Sequence, residues 1–350
     1  MTQDLIIKII GMILIPFAVT VLIIPYIKKV AVEIKAIDIP GGRHIHNKIT
    51  PKLGGLAIFF GFLVGYMLFG THSDVMNSIL IGSFILIIIG VIDDIVELGP
   101  LHQFIAQLLA ALVVVFYGGL LIKDLSAFGI YIDFRLLAYP ITIFFIVGCI
   151  NCINLIDGLD GLSGGISSIY YLTIGIIAII QGKTGLDFII AFTMLGATLG
   201  FLMYNFHPAS IFAGDCGSNF MGFMIAVIAL LGFKNVTLTS FIVPLIILAI
   251  PIMDTLSAII RRLLKGEPPF KGDKLHLHHQ LLNRNFSIRQ TVFIIYVIDA
   301  LLAFASILYI LKITLISYIL YGIIVCIILF IVLKTNIVFD REIMKKKFKK

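Results

Sequence analysis

An all-α, polytopic membrane fold follows from three features of this chain. Of its 350 residues 60% are hydrophobic and 13% charged, where a soluble domain carries about a quarter charged. Apolar runs of roughly 20 residues, enough to cross a bilayer as a helix, recur along the length. The polar and glycine-rich breaks between them carry the remaining chemistry.

Taken in order, the runs give about eleven transmembrane helices, near 5–27, 53–70, 76–92, 102–122, 135–153, 163–181, 187–204, 216–233, 239–260, 290–311 and 313–333. The first is too long for a signal-peptide core and lacks a small-residue cleavage site, so it reads as a span. The third ends in Asp93-Asp94, and the fifth in an amide- and acid-rich stretch. Segment 205–215 joins the seventh to the eighth. A basic segment, 261–289, follows the ninth. The whole of 1–350 is expected to form one transmembrane domain, with cytoplasmic loops at 28–52, 93–101, 154–162, 205–215 and 261–289 and a basic tail at 334–350.

Charge orients the helices. Segments 28–52, 261–289 and 334–350 hold 20 of the 26 Lys and Arg residues. The positive-inside rule therefore expects the N-terminus outside and the C-terminus in the cytoplasm. Every polar cluster then falls on the cytoplasmic face, although Lys and Arg alone set the orientation. The net charge of +7 sits beside membrane helices, which points to anionic lipid and anionic substrates and away from nucleic acid. Cys149, Cys152, Cys216 and Cys326 lie in or beside apolar runs and read as small buried hydrophobes.

The stretch 151–162, Asn-Cys-Ile-Asn-Leu-Ile-Asp-Gly-Leu-Asp-Gly-Leu, carries the strongest signal. Asn151, Asn154 and Asp157 recur every three residues, so a helix shows them on one face. An oxygen-rich, glycine-loosened helix end suits a hard cation and a phosphorylated substrate. At Asp93-Asp94, neighbours on a helix point about 100° apart, so both need not touch one ion. Asp215, in Phe212-Ala-Gly-Asp-Cys-Gly-Ser218, can be a helix N-cap or a metal ligand. His276, His278 and His279 can be zinc ligands, or a phosphate clamp with Arg261, Arg262 and Lys274 supplying charge. Asp254 lies inside the ninth span as a site residue or a hydrogen-bonding residue, and Asp299 reads as a bundle-facing hydrogen-bonding residue. The chain has no GxxxxGK[ST], HExxH or GxGxxG.

Together, Asp38-x-Pro40, Arg43-x-x-His46, Gly54-Gly55, Asp93-Asp94, the 151–162 stretch, FxGDxGS at 212–218 and HxHH at 276–279 resemble the polyprenyl-phosphate N-acetylhexosamine-1-phosphate transferases. The interrupted histidine run is more similar to the bacterial undecaprenyl-phosphate GlcNAc-1-phosphate transferases of teichoic acid and O-antigen synthesis. An uninterrupted triplet would suit the phospho-MurNAc-pentapeptide transferases, the alternative within the family. The resemblance implies attack of undecaprenyl phosphate on a UDP-HexNAc donor, with release of UMP and dependence on Mg²⁺, or Mn²⁺ in its place. It implies Asp215 and Asn154 as metal ligands, and Asp93 as base with Asp94 in support and His279 beside them. It implies Asp157, Asp160, Phe212, Asn151, Arg43, His46, His276, His278 and Arg262 as substrate contacts, with Phe212 on the uracil. It also implies a multi-pass protein of the bacterial plasma membrane, its site facing the cytoplasm, and allows a homodimer. One departure stands out: members often carry a Lys where this chain has Gln103. A secondary transporter is the competing class, and it would place its acids at the bilayer midplane of paired halves. An inert sibling acting as a scaffold would rest on Gln103 alone.

Overall fold

The computed structural model describes residues 3–39, 49–127, 130–233, 245–266 and 276–334. Arg43, His46, Lys274 and nearly all of the basic tail lie outside these residues. The chain divides into two compact units, Met1–Pro244 and Leu245–Lys350.

The first unit holds eight described helices: α1 (Gln3–Glu33), α2 (Gly54–Phe69), α3 (Asp74–Val96), α4 (Pro100–Leu112), α5 (Ala138–Ile156), α6 (Leu162–Ile180), α7 (Leu186–Asn205) and α8 (Gly214–Phe233). α8 is the axis, since α2, α3, α5, α6 and α7 all pack on it. From Phe220 onward it is apolar on every side, as a fully buried helix should be. Phe220, Met221, Phe223 and Met224 are sealed from solvent. α1 packs on α7 and α2, and α4 on α3 and α5. Helices in a bilayer gain no hydrophobic energy by meeting, so close backbone packing carries their association. The α2–α8 contact does this through glycine: a Cβ at Gly55 would stand 2.1 Å from the Gly217 backbone.

The second unit holds α9 (Ala249–Lys265), α10 (Leu277–Leu282), α11 (Ile288–Ile310) and α12 (Thr314–Lys334). α11 opens with a capping box, in which Ser287 Oγ accepts from Gln290 N–H and the Gln290 side chain accepts from Ser287 N–H. α11 and α12 pack together, with Tyr321 O–H donating to Ser306 Oγ and Ser317 O–H to the Ala305 carbonyl.

Among the described residues, 8 helices are long and apolar enough to cross a membrane, and Gly54–Phe69 and Thr314–Phe330 are shorter apolar helices. The polytopic helical class therefore holds, with differences in detail. The apolar run from 102 breaks early. α4 passes into a π-helical turn at Val113–Tyr117 and ends at Gly118-Gly119, where Gly119 takes φ 63°. A small antiparallel hairpin then follows, Asp124–Ala127 with Ile130–Asp133. A second antiparallel pair joins Ile37–Asp38 to Thr50–Pro51. Both hairpins depart from a purely helical reading. At the span expected over 239–260 the described helix is α9, which starts at Ala249, runs through Arg261 and Arg262 to Lys265 and is not among the helices long and apolar enough to cross a membrane, while 234–244 lies outside the described residues. Cys326 is also a correction: it is exposed, while Cys149, Cys152 and Cys216 are buried. It stands in an apolar surface groove with Ile319, Ile323 and Phe330. On the outer face of a membrane helix an apolar side chain meets lipid, so burial is not required of it.

Candidate active site

The acidic pair at the end of α3 is buried and its two members are held differently. The helix stops because Glu97 turns into the left-handed region at φ 52°, its N–H reaching back to the Asp93 carbonyl. Asp94 spends both oxygens on α8. Its Oδ1 accepts from Asp215 N–H at 3.0 Å and its Oδ2 from Cys216 N–H at 3.3 Å. These are first-turn donors that α8 cannot satisfy internally, and a carboxylate there meets the positive end of the helix dipole. Asp215 is thus not the N-cap that its position suggested. Its side chain is released from that duty because Asp94 does the capping from another helix. Gly214 makes room with φ 72°, and a Cβ there would lie 2.3 Å from Asp94 Oδ2.

Asp93 keeps one oxygen in reserve. Gln103 Nε2 donates to Asp93 Oδ2 at 2.7 Å, while Asp93 Oδ1 is buried with no hydrogen-bond partner among the described residues. The Asp215 carboxyl lies near enough to Asp93 to interact with it. Gln103, where the family resemblance leads one to expect a cation, is therefore bound to the acidic pair.

α5 brings the amides. Asn154 Nδ2 donates to Asp215 Oδ1 at 2.7 Å and to Ser218 Oγ at 2.9 Å. Asn151 Nδ2 donates to Gln107 Oε1 at 2.7 Å, and Gln107 Nε2 donates to Asn219 Oδ1 at 3.3 Å. This relay of amides ties α4, α5 and α8 together. Asp157 ends α5 and accepts from Ser163 O–H. Burial pushes the Asp157 carboxyl up to about 7; the Ser163 bond opposes this, and the Asp215 and Asp160 charges add to it. Asp160 is committed to the loop before α8, where its Oδ2 accepts from Ala209 N–H at 3.0 Å and meets His207 Nδ1 at 2.6 Å. Phe212 is half-buried and anchored by its backbone, with N–H to the Pro51 carbonyl and its own carbonyl to Gly54 N–H.

Asp93, Asp94, Asn154, Asp157 and Asp215 thus converge at the ends of three helices. Ser218 of the 212–218 motif joins this network, as do Ser163, Gln107, Asn219 and His207, which had not been singled out in the sequence. The donors are hard oxygens, which suit Mg²⁺ or Ca²⁺ over softer metals. Among the described residues no three His, Cys, Asp or Glu side chains stand ready to hold a metal ion. Mg²⁺ needs only one or two carboxylates, the rest of its shell being water and phosphate. The orphaned Asp93 oxygen beside Asp215 is consistent with such a site.

The second unit carries the basic groups. Arg261, Arg262, His276 and His278 are buried, and His279 is half-buried. Asp254 accepts from Leu277 N–H at 2.8 Å and meets His276 Nδ1 at 3.0 Å. His278 Nδ1 has no partner among the described residues. Burial, with His279 nearby, pushes the His278 imidazole down to about 3, so it is neutral at any working pH. Asp299 is buried as expected, but both of its oxygens lack a hydrogen-bond partner among the described residues.

The glycosyl transferase family 4 model matches residues 76–233. A probable undecaprenyl-phosphate N-acetylglucosaminyl 1-phosphate transferase of Bacillus subtilis (strain 168) is 39% identical over 311 residues, covering 88% of this chain and 86% of the relative. A decaprenyl-phosphate N-acetylglucosaminephosphotransferase of Mycobacterium tuberculosis (strain ATCC 25618 / H37Rv) is 31% identical, covering 80% and 77%. An undecaprenyl-phosphate alpha-N-acetylglucosaminyl 1-phosphate transferase of Salmonella typhimurium is 29% identical, covering 82% and 80%.

Proposed function

The chain belongs to glycosyl transferase family 4, the polyprenyl-phosphate sugar-1-phosphate transferases, and on that premise we propose that it transfers N-acetylglucosamine-1-phosphate from UDP-GlcNAc to undecaprenyl phosphate. The products are a lipid-pyrophosphate-sugar and UMP, and the step would initiate a cell-envelope glycan. The observation that carries this reading is the gathering of Asp93, Asp94, Asn154, Asp157 and Asp215 at the ends of α3, α5 and α8. Acids at helix ends, close to water and to lipid headgroups, suit a membrane enzyme better than an ion pathway at the bilayer midplane.

In this reading Asp93 accepts the proton of the lipid phosphate on Oδ1, which has no hydrogen-bond partner among the described residues, and Gln103 keeps the other oxygen fixed. Asp94 acts through structure, holding the first turn of α8 so that the Asp215 side chain faces the site. Asp215 and Asn154 would hold Mg²⁺, with Mn²⁺ as substitute. The ion would neutralise charge on the donor pyrophosphate and the departing UMP. Asp157, Asp160, Asn151 and Phe212 contact the nucleotide-sugar, while for His276, His279 and Arg262 a phosphate contact rests on the family motif alone. The protein would be a multi-pass protein of the bacterial plasma membrane, with its site on the cytoplasmic side and all of 1–350 serving one transferase.

The test is UMP release by purified protein in detergent, given undecaprenyl phosphate, Mg²⁺ and a panel of UDP-HexNAc donors. UMP with UDP-GlcNAc as the preferred donor is expected. No UMP from any donor on the panel would overturn the reading.

A further inference from the structure

Asp254 is an acid in the second unit that lies outside the motifs carrying the family resemblance. It is 3% exposed and its partner His276 is 5% exposed. Burying a carboxylate is costly unless it is fully hydrogen-bonded, so the use made of each oxygen matters. Oδ1 takes the Leu277 N–H at 2.8 Å, which fixes the entry to α10. Oδ2 takes His276 Nδ1 at 3.0 Å. A helix cap needs only the first of these bonds. The second bears on the His ring, because the hydrogen bond made by one imidazole nitrogen decides the state of the other. With Nδ1–H given to the carboxylate, Nε2 is left on the opposite edge of the ring. The orientation passes along the motif. The His276 and His278 rings are parallel at 2° and 5.8 Å apart, and His278 lies 4.3 Å from His279.

We propose that Asp254 is a positioning residue for the transfer reaction: it fixes His276 as the Nδ1–H tautomer with Nε2 available to substrate, and it holds the turn that delivers His279. The proposal rests on the transferase reading for its consequence in catalysis, but not for the tautomer.

The experiment uses full-length protein in detergent with ¹⁵N-labelled histidine, the His276 signals being assigned by their loss in His276→Gln. Wild type should show His276 protonated at Nδ1. In Asp254→Asn the amide N–H can donate to the ring nitrogen, so His276 should switch to Nε2–H. The kcat for UMP release should fall about tenfold or more, the usual scale when an oriented histidine loses its partner, with the donor KM little changed. Adding Asp254→Asn to His276→Gln should cost little further, since the two act as one unit. An unchanged His276 tautomer in Asp254→Asn, or an unchanged kcat, would overturn the proposal. Should Asp254→Asn fail to fold, the wild-type spectrum and the kinetics of His276→Gln decide. An Nε2–H ring in wild type, or full kcat without the ring, overturns it. A wild type that makes no UMP with any donor defeats the transferase reading instead, and the spectrum still reports on Asp254.

Discussion

The two units carry opposite chemistry. In the first, the carboxyl groups of Asp93, Asp94, Asp157, Asp160 and Asp215 are gathered with amides and hydroxyls. In the second, Arg261, Arg262, His276, His278 and His279 accompany the hydrogen-bonded Asp254. Oxygen-rich ground suits a cation, and nitrogen-rich ground suits a phosphate. Moving a sugar phosphate between two anionic partners calls for both. The contrast also separates working groups from supporting ones. Asp94 has both oxygens committed to the start of α8, and Asp254 has one on the start of α10 and one on His276, while Asp93 Oδ1 has no hydrogen-bond partner among the described residues.

The sharpest way to break this contrast is to exchange Asp93 and Asp94 roles by substitution. Asp93→Asn still accepts the Gln103 bond, so it should fold normally and lose about 10²–10⁴-fold in kcat for UMP release, the range for removing a general base. A thermal unfolding midpoint unchanged from wild type, with activity gone, is the expected pair of results. Removal of divalent metal with EDTA should take UMP formation to background, and added Mg²⁺ should restore it. Asp94→Ala should act differently, leaving the Asp215 and Cys216 N–H groups unsatisfied at a cost of about 1–3 kcal/mol for each buried donor. Thermal melts would register this as a clear drop in midpoint. If Asp94→Ala melts like wild type, the division of labour within the pair is wrong.

Much of the acidic ground was legible in the sequence, and the reasons are physical. Asn151, Asn154 and Asp157 share a helical face whatever the tertiary fold, and that periodicity is visible in one dimension. Long apolar runs likewise declare membrane helices. What could not be read was any partner far away along the chain. Asp94 caps residues 121 positions later, and no local pattern announces it. Gln107 and Asn219 are single amides in apolar helices, and single amides look alike until their 112-residue separation closes into a bond. Gln103 and Gln107 are four apart on α4, which does put them on one face, but nothing in the sequence says what that face meets. The hairpin at 124–133 was hidden because the apolar run before it extends past the point where Gly118-Gly119 ends the helix.

A gentler probe of the acidic ground is pH. The Asp157 carboxyl rises from 3.8 to about 7 in the folded chain. Between those values the folded protein binds a proton that the unfolded chain releases, so this group's contribution to stability falls as pH rises through the window. In the presence of EDTA, urea melts at several pH values should show wild type losing stability from about pH 4 to pH 7 more steeply than Asp157→Asn. The variant can still accept the Ser163 bond through its amide oxygen. Equal slopes would mean that the crowding of acids around Asp157 has been misread.

The smallest effect is expected inside the basic ground, and it tests whether that ground works as a uniform clamp. The three motif histidines look equivalent in sequence, and all were expected to meet substrate. Their surroundings differ: His278 is 2% exposed, while His279 is half-buried. A neutral ring held at about 3 brings no charge to a phosphate. His278→Phe, close in size and shape, should therefore change kcat/KM by less than about threefold, within the tolerance of volume-conserving core swaps. His279→Ala removes a side chain that can reach substrate, and losing a hydrogen bond to a charged group costs about 1.5–3 kcal/mol, or roughly tenfold to a hundredfold in kcat/KM by the free-energy relation. Equal losses at the two positions would restore the three-histidine clamp. A large gap would make His278 the packed spacer that carries the orientation of His276 through to His279.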